Sequence, residues 1–299
     1  MSARTAVLGL GAMGLPMARR LASHLPVTVY DIAPGRQVEG ADTAVSPAEA
    51  AVDADVVLVA VRDQVQVEGA LFGPAGAVET LRPGAVVVLT STVGPDAARA
   101  TAERLARHGV LTVDAPVSGG PVRAGEGDLL IVVGAEEGAL AAARPVLDLL
   151  ASTLTVVGER PGDGQSLKAI NQLLAGVHIA AAAEAVALAR GLGLDPATVV
   201  DVLGRGAAGS FVLADRGPRM VRTYAEETAP EVRSRLDIFV KDMGIVTGIA
   251  RDAHVPVPLA AAAEQLYLLG ERAGLGDRDD SSVVMVLSPK EDAPGDGGR

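Results

Sequence analysis

Short runs of branched aliphatic residues recur through the first half of the chain with helix-length segments between them, and no other feature constrains the fold as strongly. The runs at 5–9, 27–30, 55–61, 85–90 and 111–114 read as buried parallel strands. Segments such as 14–24 and 95–108 are long enough for crossover helices, which gives the βαβ alternation of a doubly wound sheet. Two further runs, 129–134 and 154–158, bracket another helical stretch and extend that sheet.

The pattern changes after the turn formers at 160–165. From 165 to 190 apolar residues fall at Leu167, Ile170, Leu174, Val177, Ala181, Ala185 and Leu188, a helical period that needs a packing partner along much of its length. Segments 196–203, 235–250, 258–273 and 281–287 also read as helix. The expectation is an α/β domain at 1–161, an all-helical domain at 162–288 and a disordered tail at 289–299. No internal repeat is apparent.

A chain of 299 residues suits two domains, and 49% hydrophobic residues interrupted by spread charges is a globular composition. The stretch 173–189 contains His178 and Glu184 and falls short of a membrane span. The apolar opening at 1–14 reads as a strand and glycine turn rather than an export signal, so a cytoplasmic protein is expected. The absence of cysteine excludes thiol nucleophiles, disulfides and cysteine-bound metal. A formal net charge of −11 with no basic patch argues against a nucleic-acid partner. His24, His108, His178 and His254 show no ligand spacing, and no metal site is expected. Lysine occurs only at Lys168, Lys241 and Lys290 in a chain that otherwise uses arginine. An amine can give up its proton near neutrality where a guanidinium cannot, although three lysines could also survive by chance.

Gly9-Leu10-Gly11-Ala12-Met13-Gly14 lies between a strand and a helix, the context that gives GxGxxG its meaning. Gly9 allows the tight turn, Gly11 lets a pyrophosphate approach the backbone, and Gly14 lets helix pack on strand, with Ala12 and Met13 leading into the helix N-terminus. Asp31, twenty residues beyond Gly11, is placed to accept the adenosine ribose hydroxyls and to repel a 2′-phosphate. NAD is therefore the expected cofactor, with Arg36 the residue that could soften the preference.

Lys168 and Asn171 are three residues apart on the opening turns of the long helix and share one face. A lysine there can take a hydroxyl proton while hydride leaves the same carbon, and an asparagine can hold the oxygen without adding charge. Spacing alone leaves a solvent-facing lysine open. Ser118-Gly119-Gly120 offers a hydroxyl and N–H groups to an anion, or forms a plain strand-to-loop turn. Thr92 follows a strand where nicotinamide would lie, or caps the helix before Pro95.

Three segments together resemble the β-hydroxyacid dehydrogenase family, which includes 3-hydroxyisobutyrate and tartronate-semialdehyde dehydrogenases and, more distantly, 6-phosphogluconate dehydrogenase. They are the glycine turn through Met17, the run Asp114-Ala115-Pro116-Val117-Ser118-Gly119-Gly120, and the helix opening at 162–172. The likeness extends to about Leu287. It implies a Rossmann-type NAD-binding domain followed by an all-α domain of the 6-phosphogluconate dehydrogenase type. It also implies that Ser118, Gly119 and Gly120 grip a substrate carboxylate, that Lys168 is the catalytic lysine and that Asn171 assists. Gln172 stands where many relatives carry a second asparagine and is expected at the substrate. The segment 237–244 is similar to the one that closes the family's cleft, with Lys241 near the nicotinamide ribose and Asp242 in support.

Within the family, 171–185, 236–246 and 279–283 are similar to the branch that oxidises L-threonate to 2-oxo-tetronate with NAD. Phe211 stands in the segment 206–216, read as a pocket-shaping loop, where that branch leads one to expect tryptophan. The resemblance thus implies NAD-dependent oxidation of a small hydroxy acid by lysine acid/base catalysis, without metal. The rivals are another β-hydroxyacid, reduction of the matching semialdehyde, imine reduction, and dinucleotide sensing without turnover. The alanine-rich long helix suggests a homodimer or homotetramer.

Overall fold

A computed structural model of the chain describes residues 3–225 and 231–290. The chain forms two compact units, Met1–Ala169 and Ile170–Arg299. The first unit contains β1 (Thr5–Leu8), α1 (Gly14–Ala22), β2 (Val27–Tyr30), β3 (Asp42–Thr43), α2 (Pro47–Ala51), β4 (Val56–Val59), α3 (Gln64–Phe72), β5 (Val86–Leu89), α4 (Pro95–Ala106), β6 (Leu111–Asp114), β7 (Val117–Ser118), α5 (Gly120–Glu126), β8 (Leu129–Gly134), α6 (Glu137–Leu150) and β9 (Ala151–Gly158). The long helix α7 (Asp163–Gly191) begins in this unit and continues into the second.

The strands form one sheet in the order β3-β2-β1-β4-β5-β6-β8-β7, with β9 paired to β8. The succession from β3 to β6 is parallel, the order of a dinucleotide-binding sheet, whereas β8 runs antiparallel to β6 and β7. Alternation along each strand divides the core between the two faces. Val7, Val29, Leu58, Val88 and Val113 pack with Met17 and Leu21 of α1 and Val146 of α6. Leu8, Val57, Val59, Val87 and Leu89 pack with Leu71 of α3 and Leu105 of α4. Burial on both faces explains why these strands are continuous aliphatic runs.

The second unit holds the rest of α7 with α8 (Pro196–Gly204), α9 (Phe211–Ala225), α10 (Leu236–Asp252), α11 (Pro258–Arg272) and the short α12 (Val284–Leu287). The sequence reading treats 206–216 as a loop, but Phe211 opens α9. Gly217 and Pro218, residues of low helix propensity, lie inside it. Gly217 is where α9 meets α8: a Cβ there would lie 2.6 Å from Val200 Cγ1. The tail expected from 289 lies outside the described residues beyond Lys290.

The apolar stripe read on α7 is not its buried face. Leu167, Ile170, Leu174 and Leu188 are exposed, while Ala169, Ile179, Ala180, Ala183 and Val186 are buried. The helix is apolar on several faces, so its period cannot identify the packed one, and small residues supply it. Gly176 takes the Met243 side chain of α10 and accepts the Tyr267 hydroxyl of α11 at 2.8 Å on its carbonyl. By length and composition α7 could cross a membrane, against the expectation for 173–189, and 44% of its most apolar window is buried inside the protein.

An ion network ties α9 to the segment before α12. Arg219, 2% exposed, donates to Asp279 Oδ2 at 2.9 Å and Asp280 Oδ1 at 3.0 Å, and Arg216 donates to Asp280 Oδ2 at 3.0 Å. Burial pushes the Asp280 carboxyl above its usual range, with Arg216 and Arg219 opposing it. Removing one partner strands buried charge, so Arg219→Met is expected to cost about 3–5 kcal/mol by chemical denaturation. In the first unit, a Cβ at Gly14 would lie 1.9 Å from the Gly9 carbonyl oxygen, whereas one at Gly11 meets nothing within 4 Å. Gly14→Ala is therefore expected to cost about 1–3 kcal/mol, and Gly11→Ala to stay within about 0.5 kcal/mol of the parent without ligands.

Candidate active site

The glycine turn is built by steric necessity. Gly9 has φ +99°, and a Cβ there would lie 2.6 Å from the Ala60 carbonyl oxygen. Together with Gly14 it brings the start of α1 against β1 and β4. Gly11 faces open space and borders a groove of about 450 Å³ with Ala12, Leu15, Pro16, Arg36 and Gln37. Open space over Gly11 at the start of a helix is the cradle a dinucleotide pyrophosphate needs, and these residues fit that group. Ala12 is exposed and Met13 half-buried, and both lead into α1.

Asp31 is more engaged than the sequence suggests. Its carboxylate accepts from Leu10 N–H at 2.6 Å, Ala33 N–H at 2.8 Å and Arg36 Nη1 at 3.1 Å. Its side chain is only 8% exposed. A carboxylate has about four acceptor positions, so three donors leave roughly one. Arg36 also donates to the Leu10 carbonyl at 3.0 Å, which locks the end of β2 to the glycine turn.

A second constellation gathers at the carboxyl ends of β4, β5 and β6. Asp114, the last residue of β6, is fully buried. Its Oδ2 accepts from Gly162 N–H at 2.8 Å and Gln165 N–H at 2.9 Å, and its Oδ1 accepts from Gln165 Nε2 at 2.9 Å. These bonds satisfy donors at the first turn of α7. Burial pushes the Asp114 carboxyl above its usual range, partly offset by the Gln165 amide and by backbone N–H groups of Gln165, Gly162 and Gly164. Gln165 Nε2 also donates to the Ser91 carbonyl at 3.0 Å, and its Oε1 accepts from Val93 and Gly94 N–H at 3.0 and 3.2 Å. Ser91 Oγ in turn accepts from Val61 N–H at 3.0 Å.

Thr92 lies between two residues of this network, and Lys168 follows Gln165 by three residues on α7. Thr92 is half-buried between Ser91 and Val93. Lys168 is 8% exposed, so the solvent-facing alternative does not hold. Ser118 ends β7 and, with Gly120, is half-buried, while Gly119 is exposed. Gly119 and Gly120 have φ of 142° and 80°, turning the chain from strand into α5. The first two turns of α7 belong with the sheet unit, whose compact part runs to Ala169. The physical cause is the set of bonds from Asp114 and Gln165.

In the second unit, Asn171 Nδ2 donates to Gln172 Oε1 at 2.9 Å and Gln172 Nε2 donates to Asp242 Oδ2 at 2.5 Å. Lys241 Nζ lies 2.7 Å from Asp242 Oδ1. Four residues singled out from two distant segments thus form one chain of polar contacts. Gln172 is buried with both ends of its amide in use, so it acts as a strut between α7 and α10. Phe211 is 77% exposed at the start of α9 and belongs to no such cluster. Among the described residues no group of three or more His, Cys, Asp or Glu side chains could hold a metal. Sequence reading missed the role of Gln165, and Asp114 entered only as part of a motif. Their partnership spans 51 residues of chain and leaves no local signal.

Comparisons with known proteins agree with this architecture. Residues 4–158 match the NAD-binding domain of 6-phosphogluconate dehydrogenase, and residues 162–287 match the NAD-binding domain of NADP-dependent 3-hydroxyisobutyrate dehydrogenase. An L-threonate dehydrogenase of Cupriavidus necator is 40% identical over 301 residues, covering 99% of each chain. The crystal structure of a 3-hydroxyisobutyrate dehydrogenase from Salmonella typhimurium superposes with TM-score 0.85 at 35% identity, covering 95% of this chain and 99% of that one. The 3-hydroxyisobutyrate dehydrogenase of Mycobacterium tuberculosis superposes with TM-score 0.82 at 29% identity, covering 96% of this chain and all of that one. The Rossmann unit, its glycine turn and the helical unit that follows are those of a known oxidoreductase class: the chain belongs to the β-hydroxyacid dehydrogenase family, NAD(P)-dependent enzymes acting on small hydroxy acids.

Proposed function

We propose that the chain oxidises the C2 hydroxyl of L-threonate to 2-oxo-tetronate, with NAD preferred over NADP. The observation that carries the chemistry is the burial of Lys168 on the opening turns of α7, beside the network that also holds the strand end carrying Thr92. The substrate rests on the end-to-end likeness to the Cupriavidus necator enzyme.

The Ser118 hydroxyl and the N–H groups of Gly119 and Gly120 hold the substrate carboxylate. Lys168 takes the proton of the C2 hydroxyl. Asn171 orients that oxygen, and Thr92 and Lys241 keep the cofactor-binding roles that the family resemblance gives them. The bound dinucleotide supplies the hydride acceptor. Gly9 to Gly14 hold its pyrophosphate, and Asp31 offers its remaining acceptor position to the adenosine ribose. Arg36, held by Asp31, marks where a 2′-phosphate would be tolerated if NADP were accepted.

The exposed stripe Ile170, Leu174 and Leu188 on α7 supports a homodimer or homotetramer, and the acidic, cysteine-free composition fits the cytoplasm. A second reading, 3-hydroxyisobutyrate oxidation, is favoured by the likeness to the Salmonella structure. Initial rates of NADH formation on L-threonate, D-erythronate, 3-hydroxyisobutyrate, D-glycerate and 4-hydroxybutyrate, with NADP in parallel, separate the two. The expected outcome is the highest kcat/KM with L-threonate and NAD. Preference for 3-hydroxyisobutyrate moves the substrate to the second reading, and a preference for NADP overturns the assignment of Asp31.

A further inference from the structure

We propose that Gln165, backed by Asp114, is a positioning residue of the reaction, setting the loop that carries Thr92 and the helix turn that carries Lys168 at one fixed separation. The proposal rests on the reading of Lys168 as the acid/base.

Three observations lead to it. Gln165 is 1% exposed, and all four hydrogen bonds of its amide reach other elements. Two of those partners, Ser91 and Val93, are the immediate neighbours of Thr92, and the third residue, Gly94, follows them. The fourth is Asp114, which also accepts the Gln165 backbone N–H and so fixes the first turn of α7 against β6. Lys168 lies three residues further along that helix, on the same side as Gln165. Ser118 lies four residues beyond Asp114. One amide thereby spans the gap between the residues proposed for cofactor and for proton transfer.

The amide has only one workable orientation. Its oxygen faces two N–H donors and its nitrogen faces two acceptors, so turning it over would oppose like groups at every contact. A longer, shorter or apolar side chain leaves buried backbone donors without partners, and the loop and helix turn must then find another spacing. Hydride and proton transfer from one carbon tolerate little displacement, and a shift of about 1 Å costs on the order of 100-fold in rate. The pyrophosphate cradle at Gly9 to Gly14 and the Asp31 carboxylate make none of these contacts, so cofactor affinity is expected to survive a change at Gln165.

The test compares Gln165→Met with the milder Gln165→Asn, using L-threonate and NAD or whichever acid of the panel is turned over. Gln165→Met is expected to lower kcat by roughly 100-fold, to keep the Kd for NAD within about twofold, and to raise the isotope effect with substrate deuterated at the oxidised carbon. Gln165→Asn keeps an amide but draws it back, and should lie between the two in kcat and isotope effect. A kcat within about threefold of the parent in both variants overturns the proposal, as does a loss tracking NAD affinity or the folded fraction, or failure of both to fold. Lys168→Ala measured in parallel separates the two readings. If it retains turnover, the acid/base assignment falls; if it is inactive while the Gln165 variants match the parent, only the positioning role falls.

Discussion

N–H groups of Gly162 and Gln165 converge on the buried carboxyl of Asp114, and the placing of the first turn of α7 and of the loop after β5 depends on them. They stop β6, start α7 and hold Gln165 in the one orientation that also secures the loop after β5. A carboxyl placed among aliphatic strands is expensive to bury, which is why its position above the usual range persists despite these donors. The structure tolerates that cost where strand ends, a helix start and the proposed acid/base meet.

The adenosine end follows a different logic, one of close approach rather than hydrogen bonding. Gly9 and Gly14 exist because backbone atoms of Ala60 and Gly9 occupy the space a side chain would need, whereas Gly11 leaves its space open. Asp31 then locks the turn through Leu10 and Arg36, so it serves the fold as well as any ribose. Rigid support of the turn and room above it are separate requirements met by neighbouring glycines.

The central sheet was legible because β1, β4 and β5 are buried on both faces and are aliphatic apart from Thr5, and the glycine turn because its sterics leave a spaced motif. The family, the dinucleotide and the class of substrate followed from segments whose residues stand close in sequence. Other features were not legible, for physical reasons. α9 carries Gly217 and Pro218, residues of low helix propensity, and Gly217 is required because Val200 leaves no room for a Cβ. The packed face of α7 sets Ile179 and Val186 among many alanines, which contribute little to a hydrophobic period, so the leucine stripe indicated the wrong side. The Arg219 network and the Gln165–Asp114 pair join residues 60 and 51 positions apart, and nothing local marks either.

The acid/base assignment of Lys168 is the central chemical claim, and restoring the missing amine tests it most directly. Lys168→Ala should bind NAD as the parent does, lose turnover, and regain part of it when methylamine is added, with the regained rate rising with the fraction of neutral amine. Turnover in the variant within a few-fold of the parent, without added amine, would contradict the account.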